Sequence, residues 1–398
     1  MTQTQPLSGY TVLDLSTAVS GPFTGAMLAE YGARVIKVES PGMPDVVRVT
    51  GAMHKGLSAM FAACNRGKEA IAIDLKQEAG RAVLWRLIDR ADVLIQNFRP
   101  GAMERLGFGW PAVNARNEAL VYLSISGFGA TGPMAQKRVY DPIIQVASGV
   151  ADAMADPETG APALFPGILC DKVTALYGLQ AVTAALLARA RGLAKGQHIA
   201  LAMLDATIHF QWPDAMYNHS FLDPTARRMV EFSQFYRIAE AGDGHVTICP
   251  MSEKEMRGLV RALGIEEILE DQRFNTLAGR LQHHRELAEI LKARYQAMTI
   301  EQLMDKLDAH DVPAAAVVRR DDLAALPQVA ANESIATLAD PRAGPMRAAR
   351  PPARLSTTPP RLPDRPAPDF AADSRSLLEE LGYGRDESGA LFASGAVR

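Results

Sequence analysis

The sequence predicts an α/β fold: a large doubly wound, Rossmann-like domain joined to a small α+β domain. Three observations carry this. The first half alternates short β-branched runs with helical periodicity, a long apolar helix and one more strand follow, and near residue 208 the character changes. TVLDLS (11–16), ARVIKVE (33–39), AIAIDL (70–75), DVLIQNF (92–98) and ALVYLSIS (119–126) read as buried strands, because their apolar runs are short and rich in Val and Ile. GPFTGAMLAEYG, QEAGRAVLWRLIDRA and GAMERLGFGWPAVNARN place apolar residues three and four apart and read as the helices between them. Such alternation implies a parallel sheet covered by helices. A helix from about Asp171 to Arg191 and a strand QHIALAML (197–204) complete residues 1–207.

Residues 208–228 are aromatic and irregular and read as a linker. Residues 229–320 read as the small domain, with a hairpin around a Gly-Asp-Gly turn, helical patterns from Glu253 to Leu307, and a strand PAAAVV (313–318). Residues 321–355 form a second expected linker. The Pro- and Arg-rich stretch from Asp340 to Pro368 reads as extended, and residues 356–398, with a short helix in SRSLLEELGYG, return to the large domain.

Composition excludes several classes. Hydrophobic residues make up 48% of 398, enough for a large core, and a mixed net charge of −3 leaves no basic footprint for nucleic acid. Cys64, Cys170 and Cys249 lie far apart, which points to neither a disulfide framework nor a zinc site. MTQTQPLSGY has no basic n-region or apolar h-region, and the apolar stretch TALYGLQAVTAALLARA is broken by Gln180 and Arg189 and short for a span. A cytoplasmic protein with no membrane partner is expected.

GFGATG (127–132) is a literal GxGxxG after a strand. Pro133 follows at once, no amphipathic helix comes next, and no acidic residue stands at the required distance. It reads as a glycine-rich active-site loop. Asp171, in LFPGILCDKVTALYG (164–178), sits between an apolar run and an apolar helix. As an N-cap it would accept a helix N–H, although the capping box is incomplete because residue 174 is Thr. Kept ionised by the helix start, it would equally serve as a nucleophile toward an activated acyl group. Spacing alone leaves both open. Lys37, Arg66, Lys68, Lys76, Arg99, Arg105 and Arg138 fall near strand ends and loops, where a parallel sheet binds ligands, and suit a phosphorylated one. His283 and His284 read as a solvated helix face, and Met53, Met60 and Phe61 as candidates for an apolar pocket.

These stretches together resemble the family III CoA-transferases, the group of formyl-CoA and carnitine CoA-transferases, with α-methylacyl-CoA racemase as a relative. The likeness lies in residues 14–42, in NRGKEAIAIDLKQEAGR, in ADVLIQNFRPGAMERLGFGW, in LVYLSISGFGATGP, in GILCDKVTALYG, in GQHIALAMLDA and in the C-terminal LGYGRDESGALFASGAV. The resemblance implies that Asp171 attacks an acyl-CoA thioester, forming an aspartyl anhydride and then an aspartyl–CoA thioester. It implies CoA contacts from Ala18, Val19, Ser20, Ile73, Lys76, Asn97, Phe98, Arg105 and Arg138, with Lys76, Arg105 and Arg138 at the phosphates. Tyr140 and Met60 would meet the substrate. No metal or permanently bound cofactor is implied, CoA and acyl-CoA being substrates, and the fold would be an interlocked homodimer.

Two departures qualify the likeness. Where the racemases carry a catalytic His directly before an Asp, this chain has Tyr140 before Asp141, which favours transfer over α-proton exchange. Many transferases have Gly before the nucleophile, whereas Cys170 stands here, and MSEKEMRG occupies the region of a mobile glycine-rich stretch. A racemase or isomerase, or a CoA-binding protein without turnover, are the rival readings; a pure binder has no need of Asp171.

Overall fold

The computed structural model describes residues 4–156, 158–232 and 236–398. Among these, two compact units appear. One draws on Met1–Met154, Pro162–Trp212 and Gln328–Arg398, and the other on Ala155–Ala161 and Pro213–Pro327.

Six parallel strands form the centre of the first unit: β1 (Thr11–Asp14), β2 (Arg34–Glu39), β3 (Lys68–Ala72), β4 (Val93–Gln96), β5 (Val121–Ser126) and β6 (Gln197–Ala202). Their order is β3-β2-β1-β4-β5-β6. Side chains alternate across the sheet, so each apolar run feeds two cores. Leu13, Ile36, Ile71, Leu94 and Tyr122 pack against Val83, Leu84, Leu87 and Ile88 of α3 (Glu78–Ile88) and against Leu377, Leu378 and Leu391. Val12, Val35, Val93, Val121 and Leu123 face the other way, toward Leu28 of α1 (Ser20–Glu30) and Val182, Ala185 and Leu186 of α5 (Cys170–Ala190). Each buried Leu, Ile or Val contributes about 1.5–3 kcal/mol. Between these, α2 (Ala59–Asn65) and α4 (Asp141–Ala147) flank the loops at the strand ends.

Helix α5 has 21 residues and by length and composition is apolar enough to cross a membrane, which corrects the shorter stretch read from the sequence. One face of it packs into the fold, while Leu176 and Leu187 are exposed. Thr24 of α1 donates to the carbonyl of Ala175 at 3.2 Å, and Gly178 lies so close that a Cβ there would stand 2.8 Å from the Thr24 hydroxyl oxygen.

The C-terminal end closes the edge of β3. Asp373 accepts from the Ala70 amide at 2.8 Å, Arg398 donates to the Ala72 carbonyl at 3.0 Å, and Asp74 donates to the Ala396 carbonyl at 2.9 Å. A helix at Arg385–Ala393 follows the expected one at Ser374–Glu380. The second unit carries an antiparallel sheet, β7 (Ala239–Ala241), β8 (Gly244–Ile248) and β9 (Ala314–Ala316), with β8 central. Helices Glu253–Leu263 and Ile300–Ala309, each opened by a capping box, cover it.

Three elements differ from the sequence reading. Residues 101–117 hold two short helices, Ala102–Arg105 and Trp110–Arg116, because Gly107 takes a positive φ of 89° between them. Helix Met203–Ala215 runs into the stretch read as an irregular linker. Strands β10 (Ile335–Asp340) and β11 (Gly344–Ala349) pair in a stretch whose prolines suggested extension; a two-stranded ribbon has open edges where Pro345 is tolerated.

Gly178→Ala is expected to lower unfolding stability by about 1–3 kcal/mol, since the Thr24 hydroxyl is fixed by bonds to Ser20 and Ala175 and cannot yield. Gly389→Ala, in an exposed helical position with open space around it, should instead raise stability by about 0.5–1 kcal/mol. Urea titration of both variants checks the pair.

Candidate active site

Strand order reverses between β1 and β4, and open parallel sheets bind ligands outside the carboxyl ends of their strands at such a point. The loop after β1, residues 15–19, and Asn97 after β4 meet there. Asn97 accepts from the Thr17 amide at 2.9 Å and donates to the Thr17 carbonyl at 2.7 Å. One residue on, Ala18 holds a left-handed backbone, φ 65°, and its amide donates to Asp45 Oδ1 at 3.0 Å.

The loop delivers Ser20 to the start of α1, and its amide donates to Asp171 Oδ1 at 3.2 Å. The α1–α5 packing through Thr24 and Gly178 sets that approach. Asp171 is the second residue of α5, after Leu169 at the N-cap position, and its carboxylate meets the neighbouring helix. The capping reading is thereby corrected. The helix amide at Asp171 is instead satisfied from outside, by Asp141 Oδ2 at 2.9 Å. Asp141 is buried and accepts from Gln145 Nε2 at 2.6 Å; Gln145 also donates to the Gly167 carbonyl at 3.0 Å and accepts from the Phe165 amide at 2.9 Å. The segment before the nucleophile candidate is thus held by one Asp and one Gln a helical turn apart.

Burial, then the charge of Asp141, push the Asp171 carboxyl up to about 6, while the Ser20 hydroxyl and amide pull the other way. The helix start does not dominate, as the sequence suggested; desolvation does. At pH 7 about nine in ten molecules still carry the anion. A displaced carboxylate at the crevice of a sheet is a signature of chemistry more often than of architecture. Cys170 is fully buried in the core and burial pushes its thiol up to about 11, so it serves as apolar filling.

Beneath the loop lies a charged cluster the sequence reading mistook for ligand-facing cations. Lys37 and Lys68 are fully buried: Lys68 meets Asp14 at 2.7 Å and Lys37 meets Asp45 at 2.8 Å. Their carbons and charges are spent inside the fold, which leaves neither for a phosphate.

The other expected residues are distributed as follows. Val19 is buried in an apolar cluster with Phe61, against which Met60 and Ile168 pack. Phe61 is covered by the Arg48 guanidinium, 3.9 Å from its centroid, so it offers no open pocket wall, whereas Met53 is exposed. Phe98 is half-buried beside β4, its amide bonded to Gln96 at 2.8 Å. Lys76 and Arg138 are exposed on the loops following β3 and β5, and Arg105 is exposed at the end of the short helix after β4. Ile73 is 1% exposed and bridges to Val397, so its side chain belongs to the core. Tyr140 is 76% exposed and directly precedes α4. Residues 127–140, the glycine-rich stretch, run as an irregular loop into that helix. Asp45 and Gln145 escaped the sequence reading, and Asp141 entered it only as the residue after Tyr140; the i, i+4 spacing of Asp141 and Gln145 at a helix start was the available signal.

The raised carboxyl makes a signed prediction. Its folded value of about 6 exceeds the ordinary 3.8, so the folded state binds the extra proton between these values and ionised Asp171 weakens the fold above pH 6. Asp171→Asn is expected to stabilise by about 2–3 kcal/mol at pH 8. The gain should shrink as pH falls through 6 and vanish below about 4, measured by denaturation across pH.

Residues 7–374 match the family described as CoA-transferase family III. The chain is 32% identical over 389 residues to a succinate–glutarate CoA-transferase of Agrobacterium fabrum, covering 94% of this chain and 96% of the relative. It is 33% identical over 333 residues to an acetyl-CoA:oxalate CoA-transferase of Acetobacter aceti, covering 83% and 85%. A CaiB/BaiF family protein from Brucella suis superposes with a TM-score of 0.83 at 32% identity, over 95% of this chain and all of that one. With a parallel sheet of this order, a carboxylate at its switch point and matches of this breadth, the chain belongs to the family III CoA-transferases.

Proposed function

We propose that this enzyme moves CoA from an acyl-CoA thioester to a free carboxylic acid, with Asp171 as the covalent relay. The observation that carries the reading is a carboxylate desolvated enough to be a good nucleophile, still anionic at neutral pH, and held by Ser20, whose amide donates to it. Asp171 attacks the thioester carbonyl, the C–S bond breaks and CoA thiolate leaves, giving a mixed anhydride. The thiolate then attacks the Asp171 carbonyl, releases the donor acid and leaves an aspartyl–CoA thioester. The acceptor carboxylate repeats both exchanges in reverse, so the thioester bond is conserved and no proton need be supplied.

Each tetrahedral stage puts negative charge on an oxygen of Asp171 or of the acyl group. The Ser20 amide, at the start of the eleven-residue α1, suits the Asp171 oxygen. CoA would lie along residues 18–20, Asn97 and Phe98, with Lys76, Arg105 and Arg138 toward its phosphates. Ile73 supports the turn that leads to Lys76. Tyr140 and Met60 would flank the acyl group. Acids like those named for the two relatives, succinate, glutarate and oxalate, are the first acceptors to assay. An acid/base pair for α-proton exchange is not favoured, because position 140 presents a phenol where the racemases use imidazole.

Incubation with acyl-CoAs and hydroxylamine should yield a hydroxamate on the peptide holding Asp171, identified by mass spectrometry. Asp171→Ala should abolish both labelling and turnover, by at least about 1,000-fold, while calorimetry finds CoA affinity within about threefold of the parent. Turnover by that variant would refute the covalent role. Deuterium uptake at the acyl α-carbon without an adduct would move the enzyme to the racemase reading.

A further inference from the structure

We infer that Asp45 is a positioning residue: held by Lys37, it clamps the amide of Ala18 so that the loop stays in the left-handed turn that aims Ser20 at Asp171. This deepens the proposed function and rests on it. Four observations converge. Ala18 has φ 65°, a strained region for a non-glycine residue that persists only where surroundings enforce it. Asp45 Oδ1 accepts from Ala18 at 3.0 Å, and also from Val47 at 3.2 Å. The Lys37 ammonium lies 2.8 Å from Asp45 Oδ2 and donates to the Ser16 carbonyl at 3.1 Å, so one buried cation holds the clamp and the loop together. Asp45 itself is anchored, because its amide donates to Glu39 of β2 at 3.0 Å and Arg48 spans both oxygens of that Glu at 2.9 and 2.6 Å.

Asn97 fixes the preceding peptide at Thr17 and Asp171 receives the following one at Ser20, leaving Ala18 as the corner between them. Without the clamp the corner can relax to an ordinary φ, and the Ser20 amide and the backbone offered to CoA swing away.

The test avoids stranding a buried charge. Lys37→Met with Asp45→Asn removes both charges but keeps a carbonyl acceptor for Ala18, while Lys37→Met with Asp45→Leu removes the acceptor too; Asp14 keeps Lys68 in both. Calorimetry with CoA should show the Leu variant binding about tenfold more weakly than the Asn variant, with a matching loss in the rate of Asp171 labelling. Adding Ala18→Gly to the Leu variant should recover about threefold, since glycine adopts this φ freely; a merely structural role for Asp45 would show no such rescue. Equal CoA affinity in the two double variants overturns the inference. Hydrogen exchange of the unsubstituted protein reads the clamp without any variant: the Ala18 and Ser20 amides should exchange as slowly as those of β1, and exchange at the rate of a free loop overturns it. Because CoA binding is read without turnover, a parent enzyme that fails to label at Asp171 refutes the covalent mechanism and leaves the clamp standing.

Discussion

Two lysines inside a parallel sheet are tolerable only where anions meet them, and that requirement organises this molecule. Lys37, Lys68, Asp14 and Asp45 have no exposed side-chain surface, and their charges sum to zero. Removing one member would strand a buried charge at about 3–5 kcal/mol. Asp14 ends β1 in register with Lys37 of β2, while Lys68 opens β3 opposite Val35, two residues before Lys37, and its long side chain reaches Asp14 from there. The two lysines outweigh burial and hold the Asp14 carboxyl below its ordinary range, while Asp14 and Asp45 outweigh burial at Lys37 and hold its ammonium charged. From this fixed point the loop after β1 is tied down peptide by peptide, and with it the amide of Ser20.

The proposed chemistry depends on the contrast between two aspartates at the same end of the sheet. Asp14 is surrounded by cations, which stabilise its anion and make it inert. Among the described residues Asp171 has no cation to balance it; burial and a second carboxylate raise it, and the Ser20 hydroxyl and amide restrain it. Excess stabilisation would blunt its attack on a thioester, and deeper burial without Ser20 would leave it protonated. Asp141 serves both sides of this balance, since it raises the Asp171 carboxyl electrostatically and fixes its backbone by accepting the Asp171 amide.

Much of this was legible in the sequence, and the unread part has physical reasons. Short Val- and Ile-rich runs separated by helical periodicity announced all six strands of the large sheet, because a sheet buried on both faces demands such runs. Their spatial order was not in the periodicity; it follows from which helices cross which face. Asp171 stood out as an ionisable group in an apolar setting, but its partners lie 151 and 30 residues away, at Ser20 and Asp141, so no local pattern could separate a cap from a nucleophile. Lys37 was misjudged because a cation inside RVIKVE signals a buried counter-ion, and Lys68 because its strand begins two residues before the apolar run AIAIDL. The ribbon at 335–349 was hidden by its prolines.

Following an oxygen atom through one turnover tests the central claim most directly. In the proposed route the bridging oxygen of the second anhydride comes from the acceptor acid and stays on Asp171 when CoA thiolate takes the acyl group. With heavy-oxygen-labelled acceptor and ordinary acyl-CoA, the peptide holding Asp171 should gain the mass of one heavy oxygen, and no other peptide should. New acyl-CoA formed without label on Asp171 would show direct transfer between substrates and contradict the covalent account.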